Sequence, residues 1–259
     1  MLKFMKYEIR GTYKFIMMLI LGVLGASAGL QLSAYRGVKG NLDNFPVFLP
    51  ILLVLVIFGA FITAFFYIVS SFRKELYEDR GYLTFALPIS GKQLVGTKLL
   101  IALMWSIVIG LSMVVFNLVL GSALFGTRWV EGFREIYRTI PANIELTMGL
   151  SSFISSTLSL LLIYFSITLS KVSIKNKKIG GLWFILFLII SALVNYATLK
   201  VGGLFPYYLD IDKFKIVKGV MFGDPISVGY NISATIFSII AVLATFFGTS
   251  YLIDKKVEI

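Results

Sequence analysis

The chain contains no cysteine and no histidine. The first absence removes disulfide and thiolate chemistry, and the second makes zinc-type sites and imidazole acid–base catalysis unexpected. A third absence is regional: six runs, at 15–35, 44–72, 99–127, 146–170, 179–199 and 225–253, hold no Lys, Arg, Asp or Glu. Proton relays and buried catalytic carboxylates, the usual equipment of pumps and membrane enzymes, are therefore not expected inside them. A phosphate-binding loop is missing as well. Gly91-Lys92-Gln93 lacks both the earlier glycine and the following hydroxyl residue, so the chain is not expected to hold a nucleotide itself. No internal repeat is visible, which leaves an inverted-repeat transporter without support.

What is present is apolar. Hydrophobic residues make up 58% of the chain, and its mean hydropathy is +0.90, values outside the range of an ordinary soluble domain. A bilayer core of about 30 Å needs about 20 apolar residues in a helix, and each charge-free run is long enough. The expected fold is an all-α membrane protein with six transmembrane helices, forming a single domain over 1–259, since no connection is long enough for a second core. The net charge of +11 is spread unevenly. With the N-terminus inside, the inner segments carry 15 of the 24 basic and 6 of the 13 acidic residues. That asymmetry fits the positive-inside rule with both termini cytoplasmic, and attraction to anionic lipid accounts for the basicity without nucleic acid.

The start of the chain resembles a cleavable leader: a basic stretch, the apolar run Phe15–Leu24 and then Ala26-Ser27-Ala28. The charged stretch is long for that role, and Gly22/Ala26 with Gly25/Gly29 gives spacings that let helices approach closely. A retained first span is expected. Before it, Lys3, Lys6, Arg10 and Lys14 share one helical face beside Leu2, Met5, Ile9 and Tyr13, which predicts an N-terminal interfacial helix. The second run is 29 residues, about 43 Å as a helix, so it must tilt or protrude.

Further along, Trp129, Val130, Phe133, Ile136, Tyr137 and Ile140 recur at helical spacing opposite Arg128, Glu131, Arg134, Glu135 and Arg138, predicting an amphipathic outer helix before Pro141. Ser152, Ser155, Ser156, Ser159, Ser166 and Ser170 lie largely on one side of the fourth span. Helix packing is the usual role of such residues, and a polar lining to a substrate path is the alternative. Between the fifth and sixth spans, 201–224 is too apolar for a solvated loop and too interrupted for a span. A re-entrant or interfacial pair of short helices is expected there.

The most informative segment runs from Phe72 to Gln93. Its first half alternates basic and acidic residues as a short surface helix ending at Gly81 would. Tyr82-Leu83-Thr84-Phe85-Ala86-Leu87 then places bulky apolar groups outside any span, and Pro88 stops them. Ser90 and Gln93 form a capping box for the helix leading through Lys98 into the third span. Apolar groups flanked by both signs of charge suit a docking surface for a soluble partner, or alternatively a segment lying on the bilayer.

From Glu78 to Ser90 the pattern Glu-Asp-x-Gly-Tyr-Leu-Thr-Phe-x-Leu-Pro-x-Ser resembles the first cytoplasmic loop of bacterial ABC-type-2 exporter permeases, which have the type V transporter fold. The resemblance implies a coupling helix seated in a cleft of a separate ABC ATPase, with Glu75, Leu76, Glu78, Asp79, Arg80, Tyr82, Leu83, Phe85 and Leu87 as coupling residues. It also implies a re-entrant outer element before the last span, in which Phe205, Pro206, Tyr207 and Phe222 contribute an outer gate. A second permease chain, identical or paralogous, would complete the path, with Ser152, Ser155, Ser156 and Ser159 at a pore or a helix interface. ATP and Mg would sit on the partner ATPase, leaving this chain with no cofactor, no metal and no catalytic residue.

The function expected on this basis is the membrane subunit of an ATP-driven exporter of amphiphilic or hydrophobic cargo, such as an antimicrobial peptide, a drug or a lipid-like compound. Two other classes remain open on the sequence. One is a non-transporting sensor or scaffold subunit that binds a cytoplasmic partner. The other is an ion-coupled secondary transporter, which the charge-free spans disfavour.

Overall fold

A computed structural model describes residues 2–38, 48–77, 89–139, 142–173, 181–210, 215–219 and 230–256. Among these the chain forms α1 (Leu2–Val38), α2 (Phe48–Tyr77), α3 (Gly91–Phe125), α4 (Thr127–Thr139), α5 (Ala142–Ser173), α6 (Leu182–Leu204) and α7 (Ile232–Lys256). Three short strands, β1 (Tyr207–Asp210), β2 (Lys215–Lys218) and β3 (Tyr230–Asn231), complete the described elements. All of the helices except α4 are long and apolar enough to cross a membrane, six in number. Each contains most of one charge-free run.

The helices do not stop where charge begins. The second helix continues to Tyr77, so Arg73, Lys74 and Glu75 complete it rather than opening a separate surface helix. The third starts at Gly91, eight residues ahead of its charge-free run. At the N-terminus the basic stretch is likewise not a distinct interfacial helix but the first turns of the 37-residue α1. Nothing in that stretch breaks a helix: it contains no proline, and Gly11 is tolerated within the turn.

The chain divides into two compact units. The first comprises Met1–Ser70 with Leu100–Thr139. Its core is built from Ile16, Leu19, Ile20 and Val23 of α1, Ala64 of α2, and Ile101, Trp105 and Ile109 of α3. The α1 residues recur every three or four positions, as one buried helical stripe requires. Polar groups in this unit pair with each other across helices. The Trp105 indole donates to Thr12 Oγ1 at 3.1 Å. Near the far end of the same pair of helices, Asn117 Oδ1 accepts from Ser27 Oγ at 2.9 Å and Gln31 Nε2 at 2.6 Å.

The break between α3 and α4 is a single residue, Gly126, at φ +67°, a backbone conformation that side chains disfavour. As the alternating pattern predicts, α4 is amphipathic: Arg128, Glu131, Arg134, Glu135 and Arg138 are exposed, and Trp129 is turned inward. The Trp129 ring stacks on Phe125. It also rests on Gly121, where a Cβ would overlap the indole.

The second unit comprises Ser71–Leu99 with Ile140–Ile259. Here α5, α6 and α7 pack on one another. Gly248 of α7 lies beside Phe165 of α5, while Ser238 of α7 lies across a cavity from Ser151 of α5, so these two helices run parallel. The short strands form an antiparallel sheet in the order β2-β1-β3, with Tyr208 opposite Val217 and Leu209 opposite Tyr230. The described parts of 201–224 are thus the end of α6 and a pair of strands, not the two short helices expected. Pro206 cannot extend α6, and the aromatic and β-branched residues after it suit a pleated ribbon. Runs of four apolar residues are too short for periodicity to separate strand from helix.

Replacing Asn117 by Leu should strand the Ser27 and Gln31 donors in an apolar setting and lower stability by about 1–2 kcal/mol. Thermal unfolding in detergent micelles measures this directly. An unchanged Tm would remove the cluster from the contacts that hold α1 to α3.

Candidate functional site

The best-defined polar construction in the second unit joins the helix ends that flank segment 78–88. Within the last two turns of α2, Ser71 and Glu75 are four residues apart and so share a face. Lys98 of α3 reaches that face. Its ammonium lies 3.1 Å from Glu75 Oε1, 3.0 Å from Ser71 Oγ and 3.3 Å from the Ser71 carbonyl oxygen. Those three acceptors match the three donors of a lysine. The side chains of Lys98 and Glu75 are only 3% and 8% exposed, so this is a buried ion pair with its donors satisfied.

Around the pair the contacts are apolar and aromatic. Phe72 and Tyr164 are both fully buried, with rings stacked at 4.1 Å and 17°. Leu76, Leu94 and Val95 are buried as well. The Tyr77 hydroxyl donates to the Ile167 carbonyl oxygen at 3.4 Å, tying the last turn of α2 to α5.

The start of α3 is fixed twice. Ser90 and Gln93 form the expected reciprocal cap: the Ser90 amide donates to Gln93 Oε1 at 3.3 Å, and the Gln93 amide donates to Ser90 Oγ at 3.4 Å. The Gly91 amide donates to Asp254 Oδ1 of α7 at 2.6 Å. A carboxylate at a helix N-terminus meets unpaired amides and the positive end of the dipole. Glycine is required at this point, because a Cβ on residue 91 would meet the Ser250 carbonyl oxygen and the Asp254 carboxylate.

These positions revise the roles of individual residues. Glu75 and Leu76 are buried, 6% and 3% exposed, so they hold the joint together instead of presenting a docking surface. Glu78, Asp79, Arg80, Tyr82, Leu83, Phe85 and Leu87 lie outside the described residues. In the sequence Lys98 and Asp254 appear only as the charged residues that bound the runs 99–127 and 225–253. Their partners are 23 and 163 residues away, which no local pattern reveals.

A second feature lies toward the other end of the same unit. Ser151, Ile154 and Ser155 of α5 face Asn231, Ala234, Thr235 and Ser238 around an open cavity of about 190 Å³. Of the four serines expected at a pore or interface, Ser155 lines it, while Ser152, Ser156 and Ser159 are exposed elsewhere on α5. Further along the stripe, Ser166 and Ser170 are buried, and Ser166 Oγ donates to the Leu162 carbonyl, as a packed hydroxyl does.

Asn231 is the residue that sequence reasoning misses here. Its Oδ1 accepts from the Ala234 amide at 2.9 Å, capping α7, and its Nδ2 donates to the Gly202 carbonyl of α6 at 3.1 Å. An Asn three residues ahead of a helix amide is the available signal. Of the expected gate residues, Phe205 and Tyr207 are 55% and 39% exposed and Pro206 is half-buried, with its carbonyl accepting from the Gly219 amide. Phe222 lies outside the described residues.

Lys98→Met should remove the ammonium from the buried Glu75 carboxylate and cost about 3–5 kcal/mol, whereas Lys98→Met combined with Glu75→Leu should recover most of that loss. A double-mutant cycle read by thermal unfolding tests this, and equal stability of all three variants with the parent chain would mean that the pair is not dry. Comparison with protein-family models, with curated proteins and with solved structures returns no match to this chain.

Proposed function

We propose that the chain is the membrane-spanning permease subunit of an ATP-driven ABC exporter. Its place would be the cell membrane of a bacterium, with both termini in the cytoplasm, as the charge asymmetry favours. Its partners would be a separate ABC ATPase carrying ATP and Mg, and a second permease chain. In this reading 78–88 is the element that meets the ATPase, the basic first turns of α1 extend the first span beyond the inner face of the membrane, and the hairpin of β1 and β2 belongs to the outer, re-entrant part of the path.

One observation carries the proposal. The segment resembling a coupling loop is flanked by helix ends that are fastened together, through Lys98 with Glu75 and Ser71 and through Gly91 with Asp254. A loop that receives force is useful only if its roots are stiff; otherwise the push is absorbed locally. Here a displacement of the loop would be delivered to α2, α3 and α7 at once. The cavity lined by Ser151, Ser155, Thr235 and Ser238 offers hydroxyl groups beside apolar spans, a setting suited to the polar end of an amphiphile.

Affinity purification of the tagged full chain from its native membrane should bring down an ATPase. In the reconstituted complex, Glu78→Ala and Phe85→Ala should lower cargo-stimulated ATP hydrolysis by about tenfold, a coupling loss of about 1.4 kcal/mol, with the complex still assembled. Recovery of the chain without an ATPase, or full stimulation in both variants, sinks the exporter reading.

A further inference from the structure

Near the end of α2, two cations converge on one aromatic ring. The Arg73 guanidinium carbon is 5.7 Å from the centroid of Tyr77, and Lys171 Nζ of α5 is 5.0 Å from the same centroid. The ring itself is held by its hydroxyl, which donates to the Ile167 carbonyl oxygen. All three side chains are half-buried. Among the described residues no carboxylate pairs with either cation. Glu75, the acid nearest to Arg73 in sequence, is turned to the other face of α2 and engaged by Lys98.

Depth is the second observation. Arg73 is the first charged residue after the run 44–72, and Lys171 the first after the run 146–170. In a bilayer spanned by α2 and α5, both charges would emerge at the level of the lipid phosphates. Tyrosine favours that level too. A cation resting on a ring keeps donors available on its other side, and a guanidinium presents them as a planar fork that matches a phosphate.

We propose that Arg73, Tyr77 and Lys171 form a binding site for the phosphodiester of an anionic phospholipid, seated between the ends of α2 and α5. The site rests on the membrane reading of the spans and not on the exporter function. It differs from diffuse attraction of a basic surface because two cations on separate helices share one rigid ring. An occupying lipid would bridge those helices beside the Lys98–Glu75 pair.

The test uses the full chain in nanodiscs of phosphatidylcholine and phosphatidylglycerol in equal parts, with retained lipid read by native mass spectrometry. Phosphatidylglycerol should be retained in preference to phosphatidylcholine. The preference should fall about fivefold for each charge removed, in Arg73→Gln or Lys171→Gln, and about 25-fold when both are removed. The charge-preserving pair Arg73→Lys with Lys171→Arg should keep most of it. Lys200→Gln, which removes a lone cation 5.5 Å above the Tyr196 ring, should leave it intact.

An undiminished preference in the double variant overturns the proposal, as does an equal loss in Lys200→Gln, which would indicate a general surface field. Displacement of the lipid by inorganic phosphate at comparable concentration would assign the site to a free anion instead. A lowered Tm without any change in lipid preference would assign the two cations to the helix ends alone. If the double variant cannot be purified, the single variants carry the same test.

Discussion

A hydrocarbon environment supplies no water to satisfy backbone amides and carbonyls, and this requirement governs most of what the chain does. Long helices answer it for the backbone. The many hydroxyl residues within the spans answer it for themselves by donating to a carbonyl one turn back, as Ser33 does to Gly29, Ser112 to Val108, Thr168 to Tyr164 and Thr249 to Thr245. A hydroxyl satisfied in this way costs little where it packs. Polar groups too large for that device are paired between helices: Asn117 with Ser27 and Gln31, Trp105 with Thr12, and Lys98 with Glu75 and Ser71. The described strands lie outside the six long helices, where edges can be tolerated.

The joint around Lys98 shows how a charge can belong to a spanning helix without breaking the rule. Glu75 sits beyond one charge-free run and Lys98 just ahead of another, yet both are inside continuous helix. Their burial is achieved against protein, with Phe72 and Tyr164 stacked nearby and Leu94 and Val95 fully enclosed. Replacing such a pair with apolar side chains is often tolerated, so its value is better placed in geometry: it fixes how α2 and α3 meet at one end of a connecting segment. Specific registration of two helices is the best-attested use of a buried polar contact.

The six charge-free runs make the long helices legible from residue types alone, and local spacing is enough for the reciprocal cap at Ser90 and Gln93 and for the amphipathic α4. Helix limits are not legible in the same way, because a charged residue marks where hydrocarbon ends and not where a helix does. Backbone hydrogen bonding sets the actual limits, and α2 continues to Tyr77 with Glu75 paired to Lys98, Arg73 resting on the Tyr77 ring and Lys74 exposed. The same distinction explains why the basic start of α1 reads as a separate helix and is not one. The paired strands at 207–210 and 215–218 escape for a different reason: four-residue strands carry too little pattern. Contacts such as Gly91 with Asp254, or Trp129 with Gly121, depend on the approach of distant segments, and single-residue preferences do not encode them. The motif at 78–90, on which the proposed function leans, is a feature of the sequence, and only its last two residues and its flanks are described structurally.

Helix polarity adds a consequence at that same end of the second unit. There α2, α5 and α7 finish, as the contacts of Tyr77 with Ile167 and of Gly91 with Asp254 require, while α3 and α6 begin, the far end of α6 being tied through Gly202 to the start of α7. Each finishing helix contributes about half an elementary negative charge and each starting one about half a positive charge, leaving roughly half a negative charge of purely backbone origin. The last turns supply Lys74, Lys171, Lys255 and Lys256 against it, while the start of α3 is given Asp254. The lysines that would orient the chain in a bilayer therefore also neutralise its own peptide dipoles. A chain threaded the other way would set the membrane's preference against that of its backbone.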